Sequence, residues 1–174
     1  MTITAPLERM YDLADVPDAG FECAIAPGAD ELCRLAEWAG VEEVVRLAGQ
    51  IAVRRLSRSR FIIETAFEAE IVQKSVITLE PVRSKIARDF SRTLQLSPEA
   101  FADRGGMVAP AAVGDDAPEE IESTRYDLAL PLREELSLAI DPYPRAPGES
   151  FKAPREEDAP ESPFAVLEKL KSAR

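Results

Sequence analysis

Four arginines fall within seven residues of the sequence, and guanidinium is the side chain best suited to binding phosphate. Its planar fork of N–H groups donates paired hydrogen bonds to phosphate oxygens, so four of them at one turn would form a compact site for nucleic acid. The cluster consists of Arg54, Arg55, Arg58 and Arg60, with Phe61 as the adjoining aromatic residue. One aromatic ring does not make a base-stacking platform. A polar turn between strands also needs solvating charges, and the sequence favours the two interpretations equally.

Catalytic constellations are missing from the chain. Its 174 residues include no histidine, which excludes an imidazole general base, a Ser-His-Asp or Cys-His nucleophile pair and an imidazole-ligated metal. The usual phosphate-loop, dinucleotide, hydrolase and zinc-protease motifs are absent as well. Consecutive carboxylates such as Glu119-Glu120 do not face one way on a helix, so they do not indicate acid–base catalysis. We therefore expect a protein that is not an enzyme and needs no metal or other cofactor; a metal-dependent, carboxylate-based nuclease is the least favoured alternative.

Cysteine content and hydropathy predict a cytoplasmic protein with no membrane partner. Cys23 and Cys33 are the two cysteines and belong to no CxxC pair, so we expect buried thiols rather than a disulfide framework or a zinc site. No apolar stretch approaches the roughly 18 residues that span a bilayer. The N-terminus also lacks the basic and apolar regions of a signal peptide.

Charge is distributed unevenly along the chain. The formal net charge is −11, from 21 basic and 32 acidic residues. Residues 34–96 carry a net charge of +3, whereas residues 1–33 carry −6 and residues 97–174 carry −8. Affinity for nucleic acid comes mainly from cations on phosphates, so this balance argues against DNA and against non-specific binding. A contact with RNA would be local and would depend on the arginines of the middle section.

Strand signals concentrate in the same basic section and place the arginines at a hairpin turn. Residues 44–53 and 61–72 alternate apolar and polar positions and are rich in β-branched residues, which predicts two antiparallel strands. A further strand is predicted at residues 76–79. It is interrupted at Glu80-Pro81, because proline cannot donate to a ladder, and resumes through residues 82–94.

Two helices bracket the predicted sheet. Residues 30–39 place leucine and alanine on one stripe, with Gly40 as the C-cap. Residues 128–140 repeat apolar side chains at i, i+4 spacing, with Asp127 as the candidate N-cap. The expected fold class is α+β: a mostly antiparallel sheet, open or barrel-like, with two main flanking helices.

The sequence divides into one domain and a tail. Residues 1–141 are predicted to form a single α+β domain, in which residues 103–123 are a mobile acidic loop because large apolar residues are scarce there. Residues 142–174 are a proline-rich acidic tail that is expected to be extended and largely unpacked. Within the tail, residues 163–172 are predicted to form a short amphipathic helix, which would dock on the domain itself or on a partner.

Two segments of the chain resemble the YceD family, whose members are known as large ribosomal RNA subunit accumulation proteins. The first is QKSVITLEPV at residues 73–82, and the second runs from YDL at residues 126–128 to LSLAIDPYPRAPG at residues 136–148. The PFAVL stretch at residues 163–167 is similar to the ending of alphaproteobacterial members. These segments follow the expected order over most of the chain.

The resemblance implies a bacterial cytoplasmic protein, without established enzymatic activity, that acts in large-subunit assembly or in processing of precursor ribosomal RNA. Many members have a cysteine where Ser75 stands here, and some carry further cysteines after the second helix that suggest a metal site. This chain has no cysteine in the corresponding segment, residues 141–148. We therefore expect no metal site in this protein.

The combined prediction is a non-enzymatic ribosome biogenesis factor that binds large-subunit ribosomal RNA or a ribosomal protein. The hairpin arginines are the first candidate contacts, and the segments that carry the resemblance add Glu80, Pro81, Tyr143 and Arg145. Motifs of this kind also serve fold geometry, at a strand bend or as a strap that packs a tail onto a sheet. The alternative is an acidic module that holds a basic ribosomal protein through its loop and tail without contacting RNA.

Overall fold

The central element is an open five-stranded sheet. The structure, a computed structural model, describes residues 5–97 and 117–151. In spatial order the strands are β2 (Phe21–Ile25), β3 (Glu43–Arg55), β4 (Arg60–Lys74), β5 (Pro81–Leu96) and β6 (Glu119–Ile121). The first three neighbouring pairs are antiparallel, and β6 runs parallel to β5. Within the two described ranges the sheet does not close into a barrel.

Two helices and a small second sheet complete the fold. Strand β1 (Met10–Asp12) pairs antiparallel with β7 (Arg125–Asp127), and a 3₁₀ turn follows β1. Helix α1 spans Ala29–Ala39 and ends at Gly40 in the left-handed conformation, as predicted, and α2 spans Leu130–Ala139. The predicted α+β class with a mostly antiparallel sheet is confirmed. None of the helices in the described ranges is long and apolar enough to cross a membrane.

Alternation along the strands directs one face of the sheet into the core. In β4 the odd-numbered residues from Phe61 to Ile71 are buried, and Ile51 and Val53 of β3 lie opposite members of this set. Leu132 of α2 is fully buried in the same hydrophobic cluster. Burial of apolar surface is the main favourable term in folding, so this face is what makes the predicted hairpin a stable element.

The opposite side of the sheet, which we call the outer face, is largely exposed. It consists of the even positions of β3 from Arg46 onwards, the even positions of β4 and the odd positions of β5. Small and charged residues mix there, and Ala66, Glu68 and Ala87 are all exposed. This face has the composition of a solvated surface.

Gly49 of β3 lets α2 approach the core face closely. A Cβ at this position would lie 3.0 Å from the Ala66 carbonyl oxygen and 3.0 Å from Phe67 Cβ. It would also lie 3.3 Å from Leu132 Cδ1. A larger residue would force strand and helix apart, because packed interiors leave little room for an added methyl group.

The start of α2 differs from the sequence prediction. Ala129 is the N-cap, and Pro131 lies in the first turn, where its missing N–H leaves no bond unmade. Asp127 precedes the cap, and its Oδ1 accepts from the Ala129 N–H at 3.0 Å. Its Oδ2 is paired with Arg133 Nη2 at 2.7 Å, and both side chains are nearly buried. This ion pair ties β7 to α2.

Three other expectations need correction. Residues 76–79 form a turn rather than a strand, and β5 begins at Pro81, a strand position where a missing N–H is readily tolerated. Residues 119–121, inside the predicted loop at 103–123, form β6, while residues 103–116 lie outside the described residues. Cys33 is exposed on α1 instead of buried, and Cys23 is only partly buried.

Candidate binding surface

The β3–β4 turn holds the predicted arginines but does not gather them into one phosphate site. Arg54 pairs with Glu64 on the outer face, with Nη2 and Oε2 2.6 Å apart. Arg60 lies on the same face, and its Nε donates to Gln95 Oε1 at 3.0 Å. Each of these two guanidinium groups therefore has a partner on the sheet.

Arg55 lies on the core face and has a structural role. Its Nη2 donates to the carbonyl oxygens of Ala14 at 2.7 Å and Val16 at 3.0 Å, beside the 3₁₀ turn. Its guanidinium carbon lies 5.8 Å from the centre of the Phe61 ring. The carbonyls at the end of a helical turn lack donors of their own, so Arg55 fastens the N-terminal segment to β3.

Arg58 extends from the tip of the turn. It is exposed and makes no hydrogen bond or ion pair with the described residues. The count of arginines was plain in the sequence, but their partners were not. The sequence prediction placed all four arginines together at the turn. Alternation along a strand would have divided Arg54 from Arg55, but the predicted strand ended at residue 53.

The far end of β4 brings together the two segments on which the family resemblance rests. The Val76 N–H donates to the Pro144 carbonyl at 3.0 Å. We call this junction, formed by residues 75–79 and residues 141–149, the clasp. Residues that lie far apart in the chain thus form one surface.

The first part of the tail is fastened to the β4–β5 turn. Gln73 Nε2 donates to the carbonyl of Asp141, just before the tail, at 2.9 Å, and Pro144 is buried. Most of residues 142–149 are exposed, so the prediction of a largely unpacked tail missed only these attachments; residues 152–174, with the predicted helix, lie outside the described residues. The segment around Tyr143 is a strap against the sheet, one of the two roles that its stiff prolines allow.

Ser75 is the centre of the clasp. Its side chain is fully buried, and its Oγ donates to Glu149 Oε2 at 2.6 Å and accepts from the Ile77 N–H at 3.1 Å. Its backbone N–H donates to the Glu80 carbonyl at 2.8 Å, and its carbonyl accepts from the Leu79 N–H at 3.0 Å. One residue therefore both closes the turn and fastens the turn to the tail.

Glu149 is the acceptor on the tail, and sequence reasoning missed it. Besides the Ser75 hydroxyl, the Glu149 carboxylate accepts from the Thr78 hydroxyl at 2.6 Å and from the Ala146 N–H at 2.9 Å. The two hydroxyls and this N–H favour the charged form and lower the pKa of Glu149. Gly148, with φ at +86°, turns the chain so that the carboxylate faces back. In the sequence, this Pro-Gly turn was the one feature that could have indicated the contact made by Glu149.

The clasp presents apolar side chains to solvent. The exposed fractions are 46% for Val76, 69% for Leu79 and 69% for Tyr143, and we call these three residues the clasp surface. Leu79 has a φ of +62°, in the left-handed region that costs a non-glycine residue about 1–2 kcal/mol. Local strain of this kind is concentrated at functional sites, where surrounding contacts hold it.

Charges around the clasp surface nearly balance. Arg145 and Lys74 are exposed cations, and Glu80 and Asp141 are exposed anions. Lys74 is already paired with Glu42 at 2.8 Å. Nucleic acid requires an excess of cations, whereas an apolar patch with a mixed polar rim is typical of a protein interface. The clasp surface therefore fits a protein partner better than RNA.

The predicted site residues fall into two groups at opposite ends of β4. The hairpin arginines form the first group. The second group lies at or beyond the other end of the strand and consists of Glu80, Pro81, Tyr143 and Arg145. β4 has 15 residues, so at about 3.3 Å per residue the two groups are about 45 Å apart. The structure makes them two separate surfaces.

Three glutamates that belong to consecutive carboxylate pairs in the sequence contact one arginine. Arg92 of β5 forms ion pairs with Glu119, Glu134 and Glu135, which join β5 to β6 and α2. In the part of the chain that the structure describes, no three acidic or cysteine side chains form a group that could hold a metal ion. These carboxylates therefore act as partners of an arginine.

No protein-family model, curated protein or solved structure matches the chain. The resemblance drawn from the sequence can still be placed on the structure. Ser75 and residues 141–148 correspond in that resemblance to places where YceD proteins carry cysteines, and here the two are joined through the clasp.

Proposed function

We propose that this protein is a non-enzymatic ribosome biogenesis factor, needed for large-subunit ribosomal RNA to accumulate, that binds a ribosomal protein through the clasp surface. The observation that carries the proposal is the meeting of residues 75–79 and 141–149, which resemble the YceD family, in one hydrogen-bonded junction. The ribosomal context comes from that resemblance. The mode of binding comes from the physical character of the surface.

The clasp surface supports binding to a protein rather than to RNA. Its three exposed side chains are apolar or aromatic, and its rim carries both signs of charge. Ser75 and Glu149 hold the turn and the tail in place before any partner arrives. A preorganised surface loses less conformational entropy on binding, which favours affinity.

Contact with RNA through the β3–β4 turn is a second candidate. Arg58 is free at the tip, and the neighbouring Arg54 is held by an exposed ion pair with Glu64. Such pairs contribute about 0–1 kcal/mol, so Arg54 can exchange Glu64 for a phosphate at little cost. The acidic-module alternative depends mainly on the loop and the distal tail, outside the described residues, and stays a prediction.

Site-specific crosslinking in cells tests the proposal. A photoreactive phenylalanine analogue would replace Leu79 in one strain and Leu56 in another. Leu56 is the matched control because it is also an exposed leucine, with an exposed fraction of 56%, but lies in the β3–β4 turn. We expect a large-subunit ribosomal protein to be crosslinked from position 79 and not from position 56, with or without nuclease treatment. Crosslinks to RNA from position 56 and none from position 79 would assign the function to the hairpin.

A complementation assay links the surface to ribosomal RNA. The double variant Leu79→Ser/Tyr143→Ser should fail to restore large-subunit ribosomal RNA in cells depleted of the protein, whereas Leu56→Ser should restore it. Restoration by both variants would show that the clasp surface is not needed.

A further inference from the structure

Most of one edge of β5 is free of strand partners. On one side β5 pairs with β4 from Pro81 to Gln95, and on the other it pairs with β6 only at Leu94–Leu96. Within the described ranges, residues 82–93 therefore present one row of backbone groups with no strand beside them. An edge of this kind is a template for a further strand.

The sequence of β5 leaves this edge regular. No proline or glycine occurs between residues 82 and 96, and β5 pairs with β4 without a shift of register. Edge strands avoid pairing through proline, bulges and charged side chains, and of these residues 82–96 carry the charges. Arg88 lies on the core-facing side but is exposed, and its Nη1 donates to the Ala87 carbonyl at 3.1 Å. Pairing at this edge therefore depends on the signs of the charges that the outer face presents. Successive outer-face positions are exposed at Lys85, Ala87 and Asp89, so nothing in the described residues covers them.

We infer that β5 pairs antiparallel with β5 of a second copy of this chain, about a twofold axis at Ala87. In this register Lys85 of each copy lies opposite Asp89 of the other, which gives two opposite-charge pairs on the outer face. Neither side chain has a hydrogen bond or ion pair within the described residues. Opposite charges directly across a strand pair are stabilising, and like charges are destabilising.

Pairing about an axis at a neighbouring residue of β5 gives less favourable charge pairs. An axis at Lys85 or at Asp89 places that residue opposite itself, which is a like-charge pair. An axis at Ile86 places Arg83 opposite Asp89, but Arg83 is already paired with Glu70 at 3.1 Å. The unsatisfied charges therefore select the axis at Ala87.

Charge exchange combined with sedimentation of the full chain tests this register. The monomer has a mass of 19.1 kDa, and we expect a species of twice that mass in the wild type. Lys85→Asp and Asp89→Lys each place like charges opposite one another and should raise the dimer dissociation constant by about tenfold or more. The double variant Lys85→Asp/Asp89→Lys restores opposite charges and should return it to within about threefold of wild type. A wild type that stays monomeric up to about 1 mM, or a dimer that neither single change weakens, would overturn the inference.

Cysteine crosslinking gives an independent readout. In a Cys23→Ser/Cys33→Ser background, Ala87→Cys places two thiols across the axis, at the Cβ separation of directly opposed residues, about 5 Å. Ala66→Cys is the control, because Ala66 is exposed on the same face but lies on the neighbouring strand β4. Oxidation should link the Ala87→Cys variant into dimers much faster than the Ala66→Cys variant; equal rates would contradict the model of pairing. Leu79→Ser should leave the dimer unchanged, which separates this inference from the proposed function.

Discussion

The Ser75 hydroxyl donates to Glu149 Oε2 across 2.6 Å, although the two residues are 74 positions apart in the chain. This hydrogen bond joins the β4–β5 turn to the strap that follows α2. Its acceptor is an ionised carboxylate, which accepts stronger hydrogen bonds than a neutral group. The geometry of the clasp surface therefore depends on one buried hydroxyl and one charge.

We expect the clasp to open in acid. Because the pKa of Glu149 is lowered in the folded protein, its bonds contribute stability above the pKa of a carboxyl in the unfolded chain, about 4.3. That contribution is lost as the pH falls through the lowered folded pKa. The hydrogen-exchange protection factor of the Val76 amide, which is bonded to Pro144, should fall over this range. Glu149→Gln should show the reduced protection at every pH; a wild-type protection factor independent of pH would contradict the prediction.

Replacing Leu79 by glycine should separate stability from binding. Glycine adopts a positive φ without a steric penalty, so Leu79→Gly should leave the free energy of unfolding unchanged or raise it by up to about 1 kcal/mol. The same change removes the apolar side chain from the clasp surface. It should therefore abolish the crosslink to the partner from a photoreactive phenylalanine analogue placed at position 143. Denaturant unfolding measures the first effect. Lower stability combined with normal crosslinking would show that Leu79 serves the fold and not the partner.

Arginines of the hairpin should differ sharply in their effect on stability. Arg55→Ala removes a charged donor from the Ala14 and Val16 carbonyls, and should lower the free energy of unfolding by about 2 kcal/mol. Arg58→Ala should change it by less than about 0.5 kcal/mol, because Arg58 is exposed at the turn. Urea denaturation of the two variants checks this difference. Similar values for both would mean that Arg55 does not hold the N-terminal segment.

Replacing Asp127 should cost more unfolding free energy than replacing Arg133, its partner in a nearly buried ion pair. Asp127→Ala leaves a buried guanidinium whose Nε already has no hydrogen-bond partner, and should cost about 3–5 kcal/mol of unfolding free energy. Arg133→Met should cost at least about 1 kcal/mol less, because the backbone N–H groups of Arg9 and Ala129 still donate to the remaining carboxylate. Equal costs in chemical denaturation would show that these backbone donors do not stabilise the charge.

The sequence predicted the elements whose signal is periodic. Residues 44–53 and 61–72 alternate strictly enough to fix both strands and their antiparallel pairing, and Gly40 marked the end of α1. Residues 76–79 misled the prediction because their β-branched composition favours a strand. The hydrogen bonds of Ser75 close a turn there instead, and composition does not report them.

The candidate site was only partly predictable for the same reason. The resemblance to a family was what made Tyr143, Arg145, Glu80 and Pro81 candidates, and their role stays a prediction. Glu149 was missed because its role depends on a contact with Ser75 across 74 positions. The hairpin arginines were counted correctly, but the backbone carbonyls that bind Arg55 come from a segment with no periodic signal.

Strand β4 runs without interruption and fixes the distance between the arginine turn and the clasp. β4 contains no glycine or proline and pairs with β5 in one continuous register, so the arginine turn and the clasp are held apart by a rigid span of 15 residues. Side chains alternate between the two faces of a strand. An insertion or deletion therefore keeps the other side chains on their own faces only if it adds or removes two residues per strand, which changes the length by about 7 Å. The distance between two ligands bound at the two ends would therefore be set by the number of residues in a strand, and not by the flexibility of a linker.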